Sequence, residues 1–251
     1  MDLKGYSAKE QERIADLMRL MPRGRRSVLE IGARGGYFTE LLLERFEQVT
    51  ALDLDKPPIS HPRITPVAGD VAELKFADQS FDVVVCTEVL EHIPPERLEC
   101  ACAEIQRVAR FELVVGVPYR QDIRIGRTRC PNCGRRNPPW GHFNSFDRAR
   151  LGGLMNRCRV REQNFMGSET EATNALSAWL MDVAGNPWGA YGPHERCGYC
   201  GTPLTSPPRV AAWQKALAKT GLALSQIQTR LASPHPIWLH TVFEKIDAPD
   251  A

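Results

Sequence analysis

The stretch that most constrains this chain runs from Val28 to Leu42. Val28-Leu29-Glu30-Ile31 is a short apolar run carrying an acid, and Gly32-Ala33-Arg34-Gly35-Gly36 is a glycine-rich turn. Tyr37-Phe38-Thr39-Glu40-Leu41-Leu42 then restarts with helical spacing. A strand, a tight turn and a helix in that order open an α/β sheet of the nucleotide-binding kind. Glycines, lacking Cβ atoms, let backbone N–H groups approach a ligand there. About 20 residues on, Val49-Thr50-Ala51-Leu52-Asp53 reads as a second buried strand ending in a carboxylate, suited to the hydroxyls of a ribose. The turn lacks the glycine spacing of nicotinamide dinucleotide sites.

The pattern continues in order. Ile64 to Val67 is a third apolar run, and Pro66 inside it predicts an edge strand, where a missing ladder donor is tolerated. Gly69-Asp70-Val71 follows. Phe81-Asp82-Val83-Val84-Val85-Cys86-Thr87-Glu88-Val89-Leu90-Glu91-His92-Ile93-Pro94 is a fourth strand and its exit corner. Phe111-Glu112-Leu113-Val114-Val115-Gly116-Val117-Pro118-Tyr119 is a fifth. Together with Glu30-x-Gly32-x-x-x-Gly36, the set from Arg25 to Tyr119 resembles class I S-adenosylmethionine (SAM)-dependent methyltransferases of the small-molecule "EVLEHI" type.

That resemblance implies an α/β, doubly wound, Rossmann-like sheet of seven strands, the sixth and seventh paired antiparallel at its edge. It implies SAM as cofactor and S-adenosylhomocysteine (SAH) as product. Glu30 would face the cofactor's amino-acid end, with Gly32, Ala33 and Gly36 lining the turn. Asp53 and Leu54 would meet the ribose, Asp70 and Val71 the adenine, and Glu88 would border the methyl group, with a candidate catalytic role. Arg34 stands where the family has its middle glycine. A bulky residue is strained at positive φ, so a left-handed conformation is not expected there.

At 251 residues the chain is long enough for one good core plus a small insertion. A net charge of +2 is too mild to announce a nucleic-acid binder. No apolar stretch reaches transmembrane length. Met1 to Gly5 lacks the apolar core of a secretory signal, so the cytoplasm is the expected location.

Ser7-Ala8-Lys9-Glu10 is a capping box, followed by Ile14, Leu17, Met18 and Met21 at helical spacing. The helix should end before Pro22. The first helix of the sheet is expected over Tyr37 to Phe46, and Pro57, Pro58 and Pro62 leave only a loop after the second strand. Pro94-Pro95 marks a helix start, with Leu98, Cys102, Ile105, Val108 and Ala109 as its apolar stripe. Beyond Tyr119 come a helix from Asp147 to Asn156 and a strand from Val160 to Met166. Ser168-Glu169-Thr170-Glu171 offers a second capping box before a helix over Ala175 to Val183. A helix from Arg209 to Thr220 and a last strand from Ile237 to Ile246 follow, then a frayed tail from Asp247 to Ala251. The expected domains are an N-terminal helix (1–22), the cofactor core (23–119, 146–166 and 235–251), a first knuckle insertion (120–145) and a lid with a second knuckle (167–234).

Of eight cysteines, Cys86, Cys100 and Cys102 read as small buried hydrophobes and Cys158 as a packing residue. The other four form Cys130-x-x-Cys133 and Cys197-x-x-Cys200, each followed by glycine. With no export signal, metal is the better reading than disulfides. Two such pairs build a closed four-thiolate site, with structural Zn2+ as its ion and no open position for substrate.

Positioning supplies much of the acceleration in methyl transfer from a sulfonium. A base for the acceptor is the harder assignment. Trp140-Gly141-His142-Phe143-Asn144-Ser145-Phe146 returns to sequence similar to the family, which makes His142 a candidate catalytic base; it titrates near neutrality. His142 also fits a metal ligand or a packed surface residue. Tyr119 and Asp122 are candidates to touch the acceptor. Trp140, Phe143, Trp179, Trp188 and Tyr191 would line an aromatic pocket or fill the core of the lid. The favoured reading is methyl transfer to oxygen of a small molecule or sugar. A second reading is an RNA or protein methyltransferase docking through Arg120, Arg124, Arg127, Arg129, Arg135 and Arg136. A third is a non-catalytic binding protein on the same fold.

Overall fold

The computed structural model describes residues 7–246; the expectations for Met1 to Gly5 and for the tail from Asp247 lie outside them. Helix α1 (Ala8–Leu20) opens the chain, and the Ser7 hydroxyl accepts the Glu10 N–H at 3.3 Å as the capping box requires. Then come β1 (Ser27–Ile31), α2 (Tyr37–Leu42), β2 (Gln48–Asp53), β3 (Ile64–Ala68), β4 (Phe81–Thr87), α3 (Pro95–Val108) and β5 (Ala109–Pro118). Two short strands, β6 (Thr128–Arg129) and β7 (Arg136–Asn137), precede α4 (Arg148–Leu154) and β8 (Cys158–Met166). The long helices α5 (Ala175–Val183) and α6 (Ala212–Leu231) lead to β9 (Trp238–Lys245).

Seven strands form one mixed sheet in the order β3-β2-β1-β4-β5-β9-β8. The first five run parallel, and β9 pairs antiparallel with both β5 and β8. β3 is the edge strand that Pro66 demands. Strands buried on both faces read as continuous apolar runs, and alternate residues serve opposite cores. Leu29, Ile31, Val84, Cys86, Leu113 and Val115 pack on one side with α3 and α4 residues such as Ile105 and Leu151. Val28, Val83, Val85, Val114 and Val242 pack on the other with Ile14, Leu17 and Leu42.

The chain divides into two compact units. Among the described residues the first holds 7–119, 146–167 and 236–246, and the second holds 120–145 and 168–235. In the second, α5 and α6 run antiparallel: the Ser177 hydroxyl donates to the Gly221 carbonyl at 2.6 Å, and Ser225 and Thr229 hydroxyls reach the Ala172 carbonyl.

Several local expectations need correction. α2 ends at Leu42 rather than Phe46, its last residues passing into turns. The Ser168–Glu171 box caps nothing. Asn174 caps α5 by accepting the Ser177 N–H at 2.8 Å, while the Glu169 backbone pairs with His235. α6 starts at Ala212 and continues past Thr220 to Leu231, because Leu222 to Leu231 contains no Pro or Gly to stop it. Cys86 and Cys102 are buried as expected, but Cys100 is exposed on α3, its thiol donating to the Ala72 carbonyl at 3.2 Å. Trp140, Trp179 and Trp188 are 49%, 58% and 43% exposed, so they do not fill a core in the second unit.

Candidate functional site

In the first unit, the carboxyl ends of β1, β2 and β4 enclose a cleft of about 270 Å3. It opens where the strand order reverses between β1 and β4, the place where such sheets bind ligands. Gly32, Asp53, Leu54, Asp70, Val71 and Glu88 all line it. Ala33 and Gly36 do not: Ala33 packs in the core below, and Gly36 faces the Ile59 side chain. Gly32 cannot be replaced without rearrangement. Its φ is +85°, and a Cβ there would lie 2.4 Å from Val89 Cγ2.

The Asp53 carboxylate organises the turn. Oδ2 accepts the Arg34 N–H at 2.8 Å and Oδ1 accepts the Leu54 N–H at 2.7 Å. This bond carries a correction, because Arg34 does adopt a left-handed conformation, with φ +44°. A left-handed L-residue costs roughly 1–2 kcal/mol, and a charge-assisted hydrogen bond to its amide is strong enough to offset that. The middle glycine is thus replaced while its backbone shape is kept.

Glu30 lies beneath the turn, buried and outside the cleft lining, and accepts the Thr39 hydroxyl. Burial pushes its carboxyl up to about 7; the Thr39 hydrogen bond opposes the rise and Asp53 adds to it. Asp70 is partly buried, yet its carboxyl sits below the usual range because the Ala72 amide (2.9 Å) and Arg97 (2.7 Å) bind it. Arg97, Ile93 and Pro94 also line the cleft and were missed from sequence, and His92, read there as part of the structural corner, lines it too. Their positions in the corner after β4 are the only signal that would have found them.

Glu88 occupies that corner at φ +56°, a conformation that persists only where surrounding structure enforces it. Trp238 Nε1 donates to its Oε2 at 3.2 Å, while Oε1 is buried with no partner. Burial pushes the Glu88 carboxyl up, against the pull of Arg13. Glu91, in the 3-10 turn Leu90–His92, is fully buried and pushed up to about 8 by burial and by Glu88.

A polar network with no sequence signature joins α1 to the sheet. Asp16 accepts from His240 Nδ1 at 2.7 Å, Asn164 Nδ2 at 2.6 Å and Arg19 Nη2 at 3.0 Å. His240 is fully buried, and burial pushes its imidazole down against the raising effect of Asp16.

The second unit assembles all four expected cysteines. Cys130 Sγ lies 3.6 Å from Cys200 Sγ, Cys133 Sγ lies 3.6 Å from Cys197 Sγ, and all four sulfurs fall within 4.8 Å of one another. The two turns share one geometry. Gly134 (φ +71°) donates to the Cys130 carbonyl at 3.1 Å, and Gly201 (φ +70°) donates to the Cys197 carbonyl at 2.8 Å. Left-handed glycines close each knuckle because an L side chain is disfavoured there. Asn137 Oδ1 accepts the Gly198 N–H at 3.0 Å, linking the two turns. Arg127 and Arg136 both bind Asp182 of α5, at 3.1 and 2.7 Å, and Arg124 binds Asp122. His142 also belongs to this unit. Its Nδ1 lies 2.6 Å from Gln121 Oε1, an oxygen that accepts an Nδ1–H.

Comparison with known proteins agrees with this geometry. Residues 29–112 match the family model described as a methyltransferase domain. A probable SAM-dependent methyltransferase of Mycobacterium tuberculosis (strain CDC 1551 / Oshkosh) is 33% identical over 134 residues, covering 51% of this chain and 48% of that protein. A ubiquinone biosynthesis O-methyltransferase of Idiomarina loihiensis is 37% identical over 90 residues, covering 32% of this chain and 37% of that protein. Among solved structures, the 1,6-didemethyltoxoflavin-N1-methyltransferase of Burkholderia thailandensis, with its ligand and SAH bound, superposes with a TM-score of 0.55. It is 15% identical, covers 96% of this chain and 79% of its own, and so supports the fold alone. The chain spans about half the length of the first of these relatives, or less for the second. Residues 29–112 are thus similar to a methyltransferase domain, and the first unit has the seven-stranded Rossmann-like sheet seen in the solved methyltransferase structures it resembles. No helix among the described residues is long and apolar enough to cross a membrane.

Proposed function

We propose that the chain transfers a methyl group from SAM to an oxygen of a small-molecule or sugar acceptor. The observation that carries the reading is the cleft at the switch point. There, a glycine that admits no Cβ, a ribose-height carboxylate and a strained acid converge as Gly32, Asp53 and Glu88. Asp53 already orders its own turn through two amides, and each of its oxygens retains a lone pair for a ribose hydroxyl. Arg97 fixes Asp70 at the cleft wall, where an exocyclic amine of adenine would donate. In the reaction the sulfonium supplies the electrophilic methyl, and the chain's own part is to hold the cofactor and remove the acceptor's proton. His142 is the candidate base, held by its Nδ1 contact with Gln121 Oε1.

The choice of oxygen is supported by relatives named O-methyltransferases. The nucleic-acid reading is weakened because Arg124, Arg127 and Arg136 are committed to Asp122 and Asp182 inside the second unit.

The four thiols fit Zn2+. Bonds of ~2.3 Å to a tetrahedral ion separate its sulfurs by roughly 3.8 Å, close to the 3.6 Å found here. With four thiolates the ion has no vacant position, so its role is to clamp the two knuckles of the second unit.

The experiment is transfer of isotopically labelled methyl from SAM into a host extract separated into metabolite, glycan, RNA and protein fractions. Label in metabolite or glycan supports the reading. Label confined to RNA or protein would replace the acceptor, and no label despite SAM binding would favour a non-catalytic binding protein.

A further inference from the structure

The helical pair of the second unit carries apolar surface that the chain itself does not cover. On α5, Leu176, Trp179 and Val183 recur at three- and four-residue spacing, and all three are exposed. On α6, Trp213, Ile227 and Leu231 share one stripe of the helix, Trp213 59% and Leu231 78% exposed. The helices pack closely at Gly221, where a Cβ would lie 3.1 Å from Met181 Cγ and from the Ser177 carbonyl oxygen. On both helices the apolar stripe lies off this contact line in the same rotational sense. In antiparallel partners that sets both stripes on one side of the pair. A contiguous apolar patch, unlike scattered single residues, marks a binding surface. The charge around it has one sign. No acidic residue stands between Glu195 and Glu244, whereas Arg196, Arg209, Lys215, Lys219 and Arg230 do. Lys215, Lys219 and Arg230 form a second stripe beside the apolar one on α6, exposed and without an ion pair among the described residues. Asp182, the one acid of α5, is already held by Arg127 and Arg136.

We propose that the α5–α6 pair docks on the surface of an anionic phospholipid bilayer. The leucine, isoleucine, valine and tryptophan side chains enter the boundary between headgroups and acyl chains, where an aromatic with one polar edge is well placed. The cations beside them keep their charged ends at the level of the lipid phosphates, their stems lying along the apolar surface. A helix built this way lies in the plane of the interface. No helix among the described residues is long and apolar enough to cross it. A second copy of the chain is a poorer occupant. Two-fold pairing of α6 on itself would set its cations against one another, and that helix offers no acid to answer them. The docking goes beyond the methyl-transfer reading and does not depend on it.

The test is flotation of the full chain with unilamellar vesicles of one part phosphatidylglycerol to two parts phosphatidylcholine, against vesicles of phosphatidylcholine alone. The chain should bind the anionic vesicles at least tenfold more tightly than the neutral ones, and raised salt should weaken that binding. Two double variants separate the contributions: Trp213→Gln with Leu231→Gln, and Lys215→Glu with Lys219→Glu. Each should bind anionic vesicles at least tenfold more weakly. Because all four side chains are exposed, Tm and zinc content should stay at the wild-type level. Should one double variant fail to fold, the other decides. No flotation of the wild type, equal binding to neutral vesicles, or wild-type binding by either folded variant overturns the proposal. A chain that is dimeric by light scattering without vesicles, and monomeric once Trp213 and Leu231 are replaced, overturns it too and assigns the face to a second copy.

Discussion

Glu30→Gln is expected to stabilise the cofactor-free protein above neutral pH. Burial raises the Glu30 carboxyl from an ordinary value of 4.5 to about 7. Between those values the unfolded chain releases a proton that the folded chain keeps, so rising pH favours unfolding. The penalty is nearly absent below pH 4.5, grows from there and is complete above pH 7. At 1.36 kcal/mol per unit, the full cost is about 3 kcal/mol, of which about 2.5 kcal/mol appears between pH 5 and pH 8. Glutamine keeps a carbonyl to accept the Thr39 hydroxyl and has no proton to lose. The stability gap between variant and wild type should therefore widen by about 2.5 kcal/mol from pH 5 to pH 8, or ~5–10 °C in Tm for a chain of this size. Calorimetric unfolding of both proteins, freed of bound nucleoside, measures it. Every other titrating group is common to the two, so a gap that stays constant across that range would refute the burial argument.

Other expectations follow from single contacts. Cys130→Ser should lower zinc content and Tm together, since a closed four-thiolate site contributes folding energy; full zinc retention by elemental analysis would contradict the four-cysteine assignment. Asp16→Ala strips partners from His240 and Asn164, and should cost about 3 kcal/mol, since each buried donor left unpaired costs about 1–3 kcal/mol. Urea unfolding that shifts by less than about 1 kcal/mol would show that the network is not a stabilising one.

The edge position of β3, the turn glycine Gly32 and the strand-end Asp53 were legible from local chemistry, whereas the seven-stranded sheet and the cleft positions of Asp70 and Glu88 were expected from the family resemblance. Pro66 cannot complete a central ladder, and a strand-end acid after an apolar run has few uses. The Cys-x-x-Cys-Gly pairs were legible for the same reason: the tight turn and the thiols are adjacent in sequence. What stayed hidden depends on distant partners. The left-handed Arg34 is held by Asp53, nineteen positions away, and local sterics alone argued the other way. The Asp16–His240 bond joins opposite ends of the chain. The cap of α5 went to Asn174 instead of Ser168 because Glu169 is taken up by pairing with His235.

The most direct measurement is isothermal titration of SAH into wild type and Asp53→Ala, with zinc content recorded for both. The wild type should bind one SAH per chain. Asp53→Ala should lose at least about 100-fold in affinity, the worth of two hydrogen bonds to a charged acceptor at about 1.5–3 kcal/mol each, while keeping its zinc. Equal affinity in the two proteins, or no binding to the wild type, would contradict the assignment of this cleft to SAM.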